Sequence, residues 1–281
     1  MISTSAELEE LIDSTVSIPT IPTTLLEINR VMSSPDGSAR EAGEIIEKDP
    51  ALAAKVLRLV NSSFYALRNT VTSIPLACSI LGFKVIKNVA VQATVLDSFS
   101  GVAGIEAFDP NWLWDHSFKT ALAARMLAEA SNGAFGLDKE EAYTCGLVHD
   151  VGKMLLLEGQ PERFAEALQH SNDTGLPLAK AEGELFGFSH AHVGGLLAQR
   201  WRLSNELQEA VVYHHSPGAN PEQWARGFLI HIANGIAHEV AASGGGYRGD
   251  TVDADAMRAI GVDDATLDGI RDEVALASID G

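Results

Sequence analysis

Residues 146–153 read Gly146-Leu147-Val148-His149-Asp150-Val151-Gly152-Lys153, which places a histidine and an aspartate side by side in an apolar stretch. The apolar pattern predicts a helix on which Lys153 lies one turn after Asp150, on the same face. Burying an unpaired carboxylate costs several kcal/mol, so we expect a cation, a hydrogen-bond donor or a metal next to Asp150. Neighbouring helical residues project about 100° apart, so His149 and Asp150 reach one site only where other helices complete it. The segment therefore predicts a fold in which several helices converge on it.

The distribution of histidines supports such a cluster. The chain has nine histidines, and none of them precedes His116. Imidazole and carboxylate groups from separate helices suit borderline divalent ions such as Zn, Fe, Mn or Ni. The sequence thus predicts a divalent transition-metal site around His149 and Asp150, with a hydrogen-bonded structural pair as the open alternative. Other predicted helices carry His116, the pair His190 and His192, and the pair His214 and His215, and any of these could complete the site. Ligating histidines need oriented partners, so His192, His215 and His231 are also candidates for an orienting role, whereas His170 and His238 are expected to be plain surface residues.

Apolar residues recur at three- and four-residue spacing along most of the chain, which is typical of amphipathic helices. Ser38 with Glu41 forms a capping-box pattern, and Asp49-Pro50 supplies an N-cap and a first helical residue. A continuous helix from about Asp138 to Leu157 is predicted to carry the His-Asp pair. No run of alternating β-branched residues is long enough to predict a sheet. The expected fold class is all-α, a multi-helix bundle with an N-terminal helical lobe.

Breaks in the periodicity predict how the chain is divided. Gly101 and Gly104 interrupt the helical pattern and mark the internal boundary. We expect an N-terminal helical lobe at residues 1–100 and a second helical lobe at residues 110–243. An acidic helical extension is predicted at residues 247–281.

The composition narrows the classes of partner. The 281 residues include 20 Lys+Arg and 38 Asp+Glu, which gives a formal net charge of −18. Such a surface repels phosphate backbones and anionic lipids, so we expect neither nucleic acid nor a membrane as partner. Residues 38–60 allow a helix-turn-helix interpretation, but its second helix carries only Lys55 and Arg58 as cations. DNA binding is therefore not favoured.

The same composition bears on the compartment. Hydrophobic residues make up 46% of the chain, which is enough for a core without cross-links. Cys78 and Cys145 are expected to be two buried thiols. Residues 1–10 lack the basic start and apolar segment of a secretory signal, and no stretch reaches the ~18 apolar residues of a membrane span. We expect a cytoplasmic protein.

The order of the candidate ligands resembles the HD superfamily of metal-dependent phosphohydrolases, whose pattern is a His, a His-Asp pair, one or two further His and a final Asp. Carried over by position, the resemblance implies metal binding by His116, His149, Asp150, His190 and His214. The position of the final Asp is occupied by Asn234. A neutral amide is a weaker ligand than a carboxylate and cannot act as a general base. The resemblance implies catalytic roles for Asp150 and for Lys153, which would stabilise developing charge.

Further motifs, in the same order along the chain, narrow the resemblance to the HDOD domain, the HD-related output domain of bacterial signal transduction. It covers roughly residues 15–245. The motifs are Ile18-Pro19-Thr20-Ile21-Pro22, residues 45–52, 57–62 and 73–82, Trp201-Arg202-Leu203 and residues 213–217. Residues 216–221 lack the Gly-Tyr-Pro loop of the related HD-GYP class. The resemblance implies a helical fold and a regulatory role.

Two functional hypotheses follow from these observations. The first is a non-catalytic signalling module that binds a partner protein or a small phosphate-containing ligand, with a metal possible at a degenerate HD site. Asn234 in place of the family Asp motivates it. The second is a metal-dependent phosphohydrolase that acts on a nucleotide or another phosphoester. The near-complete ligand set motivates that alternative.

Overall fold

The computed structural model describes residues 6–32, 34, 38–62, 65, 67–131, 135–219, 224–241, 249 and 261–277. These residues form helices and connecting loops without a strand, and their one isolated bridge pairs Ile105 with Phe108. The predicted all-α class is confirmed. The chain divides into two compact units, of which the smaller holds residues 20–101 and 200–203. The larger unit holds the residues before 20, residues 102–199 and those from 204 onward to 280. The domain limits expected at 1–100, 110–243 and 247–281 stay a prediction.

The described residues of the smaller unit form five helices: α2 (Thr23–Met32), α3 (Ala39–Glu47), α4 (Pro50–Val60), α5 (Ile74–Leu81) and α6 (Phe83–Ser98). Two of the predicted starts are confirmed by their caps. The Ser38 hydroxyl accepts a hydrogen bond from the Glu41 amide, and the Asp49 carboxylate accepts one from the Leu52 amide. The core of this unit includes Ile46 and Val56, both fully buried. Burial of such side chains contributes about 1.5–3 kcal/mol each.

The larger unit is built around α7. Its helices are α1 (Ala6–Thr15), α7 (Pro110–Ala130), α8 (Lys139–Val148), α9 (Val151–Gly159), α10 (Pro161–Thr174), α11 (Leu178–Phe186), α12 (His190–Arg200), α13 (Asn205–Tyr213), a 3-10 turn (Pro217–Ala219), α14 (Trp224–Val240) and α15 (Asp264–Leu276). Helix α7 packs against α8, α14 and α15. A Cβ at Gly146 would lie 2.6 Å from the Ala121 Cα, so α7 and α8 approach backbone to backbone. Only glycine allows this spacing.

The first and last described helices also pack in this unit. The Thr15 carbonyl at the end of α1 accepts a hydrogen bond of 2.8 Å from Gln160. Helix α15 buries Leu267, Ile270 and Val274 and packs against α7 and α14. The remainder of the extension expected at 247–281, apart from Gly249 and residues 261–277, lies outside the described residues. Cys78 and Cys145 are buried free thiols, as expected.

The continuous helix expected from about residue 138 to 157 is wrong. Helix α8 ends at Val148 and α9 begins at Val151, so the His-Asp pair lies between two helices. Asp150 has φ −99° and ψ 10°, outside the helical region. The Gly146 carbonyl, which an uninterrupted helix would offer to the Asp150 amide, accepts a 2.7 Å hydrogen bond from the His149 ring. The break turns both side chains toward the interior, where each is fully buried.

None of the described helices combines the length and the apolar character that a bilayer crossing requires.

Candidate metal centre

The Asp150 carboxylate lies at the centre of a buried cluster. One oxygen, Oδ2, is 2.5 Å from the Lys153 ammonium and 3.2 Å from Nε2 of His149. The other, Oδ1, is 3.1 Å from Nε2 of His190 and 3.5 Å from Nε2 of His214. All five side chains are at most 1% exposed. The structure thus brings together residues that the sequence separates by up to 65 positions.

Two of the imidazoles have a defined tautomer. Nδ1 of His149 donates to the Gly146 carbonyl, and Nδ1 of His214 donates to the Val211 carbonyl, each at 2.7 Å. A carbonyl only accepts, so Nδ1 carries the proton and Nε2 keeps its lone pair. Both Nε2 atoms, and Oδ1 of Asp150, are buried without a hydrogen-bond partner among the described residues. Lone pairs that face a carboxylate repel it, so this donor set fits a cation.

A buried glutamate orients His190. The Glu182 Oε2 atom accepts hydrogen bonds from the His190 backbone amide at 2.8 Å and from its Nδ1 at 2.6 Å. A carboxylate behind an imidazole fixes its tautomer and raises its basicity as a ligand. Sequence reasoning missed Glu182. Its signal was a charged residue on the buried face of α11, shared with Leu178 and Phe186.

The remaining histidines differ in what they touch. Nε2 of His215 lies 2.7 Å from Nε2 of His190, so His215 contacts a candidate ligand and is also a candidate ligand itself. Nδ1 of His231 bonds the His214 carbonyl at 2.8 Å, which suits an orienting role. The Nδ1 of His192 accepts from the Ser189 amide instead. Sequence reasoning gave His215 and His192 the same role; the structure places only His215 against a candidate ligand.

His116 and Asn234 form the opposite edge of the cluster. Nε2 of His116 lies 2.9 Å from Oδ1 of Asn234 and 3.7 Å from Oδ2 of Asp150. The Trp112 ring stacks on His116 with centroids 5.2 Å apart, and the His238 ring lies 4.3 Å away. The expectation of a plain surface role for His238 is therefore wrong: it packs on a candidate ligand because α14 carries it one turn beyond Asn234.

His170 behaves as expected. Its side chain is 32% exposed and pairs with the exposed Glu184 at 2.7 Å. It lies on α10, outside the cluster. It serves below as a matched control for the buried histidines.

The electrostatics of the cluster favour neutral His116 and His214 beside an ionised Asp150. Burial lowers the pKa of His116 and of His214 well below the usual value. Burial would raise the pKa of Asp150, but His149 and Lys153 outweigh it and hold that pKa well below its usual range. Neutral imidazoles around an ionised carboxylate are the state in which such residues bind a metal. Burial acts to lower the pKa of His190 as well, but Glu182 outweighs it and raises that pKa, so His190 would have to lose a proton on binding a metal.

The spacing of the donor atoms also fits a metal. Candidate ligand atoms from Asp150, His190, His214 and His215 all lie within 4.8 Å of one another. The same holds for a second set formed by His116, His149 and Asp150. Ligand bonds of about 2.0–2.1 Å place two donors on one ion roughly 3–4 Å apart. Both sets include Asp150. In the first set, His190 and His214 lie near its Oδ1 atom, and the histidines of the second set lie near its Oδ2 atom.

A close helix approach positions the cluster. A Cβ at Gly152 would lie 1.9 Å from the His190 carbonyl oxygen and 2.8 Å from the Gly194 amide nitrogen. Only glycine therefore allows α9 to lie directly on the start of α12. The glycine that follows the His-Asp pair fixes where His190 sits relative to Asp150.

The chain is similar to several known proteins. A solved HDOD domain protein of unknown function from Geobacter sulfurreducens is 25% identical, with a TM-score of 0.75 over 95% of this chain and 96% of that one. A solved putative phosphohydrolase from Shewanella amazonensis SB2B is 26% identical, with a TM-score of 0.73 over 96% of this chain and 94% of that one. These structures share the helical fold described above.

Sequence comparison gives a further relative and a family match. An uncharacterized protein of Treponema pallidum (strain Nichols) is 26% identical over 209 residues, which are 74% of this chain and 39% of that protein. The match thus spans about two fifths of that relative's length. The family profile of the HDOD domain matches residues 18–217. Since this match covers most of the chain, the protein belongs to the HDOD domain family.

Proposed function

We propose that this chain is an HDOD signalling module that holds a divalent transition metal in a buried His–Asp centre and does not itself turn over a substrate. One observation carries the proposal. The unprotonated ring nitrogens of His149 and His214 face the Asp150 carboxylate in the interior, where one bound cation satisfies all three groups. The residues that would hold the ion are His149, Asp150, His190, His214 and His215. His116 would join them after its Nε2, which donates to Oδ1 of Asn234 at the edge of the cluster, gives up its proton.

Burial and donor chemistry support a role without turnover. His149, Asp150, His190 and His214 are fully buried. A phosphoester would need to touch them in order to react. Asn234 is a neutral amide and takes up no proton, so the cluster lacks a carboxylate at that edge. A centre of this kind stabilises the fold around it, in the way that structural metal sites do.

The output of such a module would be recognition. The net charge of −18 favours a signalling partner with a basic face, or a small ligand that carries phosphate and binds at a local cationic site. The same charge disfavours nucleic acid and anionic membranes as partners. A cytoplasmic site of action is part of this proposal.

Metal content tests the proposal. The protein, purified without a metal-binding tag, is analysed by elemental mass spectrometry beside H214A and H170A. We expect near-stoichiometric Fe, Zn, Mn or Ni in the wild type and in H170A, and a loss in H214A that exceeds any loss of folded protein by circular dichroism. No metal in the wild type, even after reconstitution with each of the four ions, contradicts the proposal.

The alternative is a metal-dependent phosphohydrolase. Lys153 favours it, because its buried ammonium, 2.5 Å from the central carboxylate, supplies a positive charge at the centre that would stabilise a phosphoester bound there. The Shewanella amazonensis protein named a putative phosphohydrolase is 26% identical to this chain. A divalent ion held by the cluster would supply Lewis-acid activation, with Asp150 and Lys153 as the catalytic residues. Turnover in a phosphoester panel with Mn, Fe, Mg or Zn, lost in H149A, selects this alternative.

A further inference from the structure

The smaller unit contains a cavity of about 470 Å³ lined by Leu26, Asn29, Arg30, Ser34 and Arg202. Small-molecule sites commonly measure roughly 300–1,000 Å³, so this volume is large enough for a ligand. The second half of α2 and the segment at residues 200–203 supply the walls. Every described lining residue belongs to the smaller unit, and none of those described belongs to the metal centre.

Two arginines are among the residues that line this cavity. Arg30 and Arg202 are both exposed, and within the described part of the chain neither of them is ion-paired. The chain has 38 acidic residues and 20 basic ones, so two arginines in one cavity that have no carboxylate partner among the described residues are not what composition predicts. A guanidinium presents paired N–H donors that match the oxygens of a phosphate.

The backbone of Arg202 is held in an unfavourable conformation. Its φ is +51°, and among the described residues it is the one non-glycine residue at positive φ. The flanking Trp201 and Leu203 are buried, and the Asn29 amide donates to the carbonyls of Trp201 and Arg202 at 3.2 and 3.4 Å. Glycine would adopt this conformation without strain. A strained arginine at a cavity wall points to a use for its side chain.

We propose that this cavity binds a phosphorylated small molecule of nucleotide size. The guanidinium groups of Arg30 and Arg202 bind its phosphate, and the exposed side chain of Leu26 contacts its apolar part. An acidic protein segment is the less favoured occupant, because a chain of net charge −18 repels an extended polyanion more strongly than a small one. The site does not depend on the metal centre, and so goes beyond the function proposed above.

Fluorescence titration of the full chain with N-methylanthraniloyl-AMP at low salt tests this proposal. We expect saturable binding that R30Q and R202G each weaken by about tenfold or more, since each removes a paired donor set. R58Q removes an exposed arginine elsewhere in the same unit and is expected to change the dissociation constant by less than about twofold. R202G also relieves the backbone strain, so its melting temperature should be no lower than that of the wild type. The metal content of R202G should be unchanged.

Three results would overturn the proposal. The first is no saturable binding of the probe up to about 5 mM. A dissociation constant above that concentration would be too weak for a specific site of this size. The second is an equal loss of affinity in R58Q and R202G, which would show a general charge effect. The third is displacement of the probe by a glutamate-rich peptide at lower concentration than by inorganic pyrophosphate, which would assign the cavity to an acidic protein segment.

Discussion

The Lys153 ammonium, 2.5 Å from Oδ2, is the group that offsets the charge of the buried Asp150 carboxylate in the absence of metal. Removing one partner of a buried pair leaves an uncompensated charge and costs about 3–5 kcal/mol. We therefore expect K153M to lower the free energy of unfolding by that amount in urea at pH 7 with chelator present. Arg40 pairs with Glu44 at an exposed site, so R40M should cost less than about 1 kcal/mol.

Added metal tests whether the stability lost in K153M comes from the uncompensated charge of Asp150. If Asp150 binds an ion, saturating Zn or Fe should restore part of the stability of K153M, because a ligand that binds the folded state adds about 2.7 kcal/mol at a hundredfold excess over its dissociation constant. A K153M protein as stable as the wild type in chelator would show that the ammonium is not what neutralises Asp150.

Chemical type drew attention to the histidines and to Asp150, and the family resemblance singled out the ligand set and Asn234. His116, His149, Asp150, His190, His214 and Asn234 all lie in the cluster, although their roles stay predictions. Sequence reasoning overlooked Glu182 and gave His215 a lesser role. Glu182 bonds His190 across a turn at Gly187 in left-handed conformation, and no helical spacing connects residues on either side of such a turn. These contacts are tertiary, so periodicity carries no trace of them.

At the scale of elements, the contact between α9 and α12 depends on one missing methyl group. A Cβ at Gly152 would overlap the His190 carbonyl oxygen at 1.9 Å. We expect G152A to destabilise the fold by about 1–3 kcal/mol or more through overpacking, and to reduce metal content because His190 moves from Asp150. Differential scanning fluorimetry and elemental analysis measure the two effects.

Gly183 provides the matched control. It is an exposed residue inside α11, and a methyl group added there would have no neighbour within 4 Å. Alanine is the better helix former by up to about 1 kcal/mol, so G183A should be neutral or stabilising. Equal behaviour of G152A and G183A would mean that the helices tolerate a wider spacing than the structure shows.

The starts of helices were more predictable from the sequence than the break between α8 and α9 that carries the His-Asp pair. Ser38 and Asp49 cap their helices as the sequence predicts, because capping is a local hydrogen bond between neighbours in the chain. The break after Val148 was not foreseen. Apolar residues continue through it, since both faces of that segment are buried, and the competing bond from His149 to Gly146 leaves no mark in the apolar pattern.

For the molecule as a whole, the buried histidines predict a dependence of stability on pH. Burial lowers the folded-state pKa of His116 and His214 well below the unfolded value of about 6.5. Below that value the unfolded chain binds protons that the folded chain excludes, so stability should fall as the pH drops from about 7 to about 5. Burial also acts to lower the pKa of His190, but Glu182 outweighs it and the net shift is upward, so this residue acts in the opposite sense.

Urea unfolding of the metal-free protein at several pH values measures this dependence. Each of the two histidines can contribute up to about 1.4 kcal/mol per pH unit. The slope should flatten in H214N and persist in H170N, which changes an exposed residue. A wild-type stability that does not change between pH 7 and 5 would show that the buried imidazoles take up protons in the folded state.

Helix α15 packs into the core of the larger unit. Leu267, Ile270 and Val274 are at most 3% exposed, on a helix that packs against α7 and α14, which carry His116 and Asn234. We expect I270A to cost about 2–5 kcal/mol, as large-to-small changes in cores do. L276A should cost little, because Leu276 is 88% exposed. Thermal unfolding of both variants checks this, and equal melting temperatures would place α15 outside the core.

The place of α1 has a consequence for the order in which the chain takes shape during synthesis. Thr15 bonds Gln160, and Val16 lies against Gly159, so α1 is synthesised about 145 residues before the segment on which it packs. At 5–20 residues per second a ribosome needs roughly 7–30 s to supply them. In that interval Ile12 and Val16, which are at most 2% exposed in the folded protein, face water. The nascent chain therefore offers chaperones an apolar segment at α1 while residues 20–101 are already available to fold.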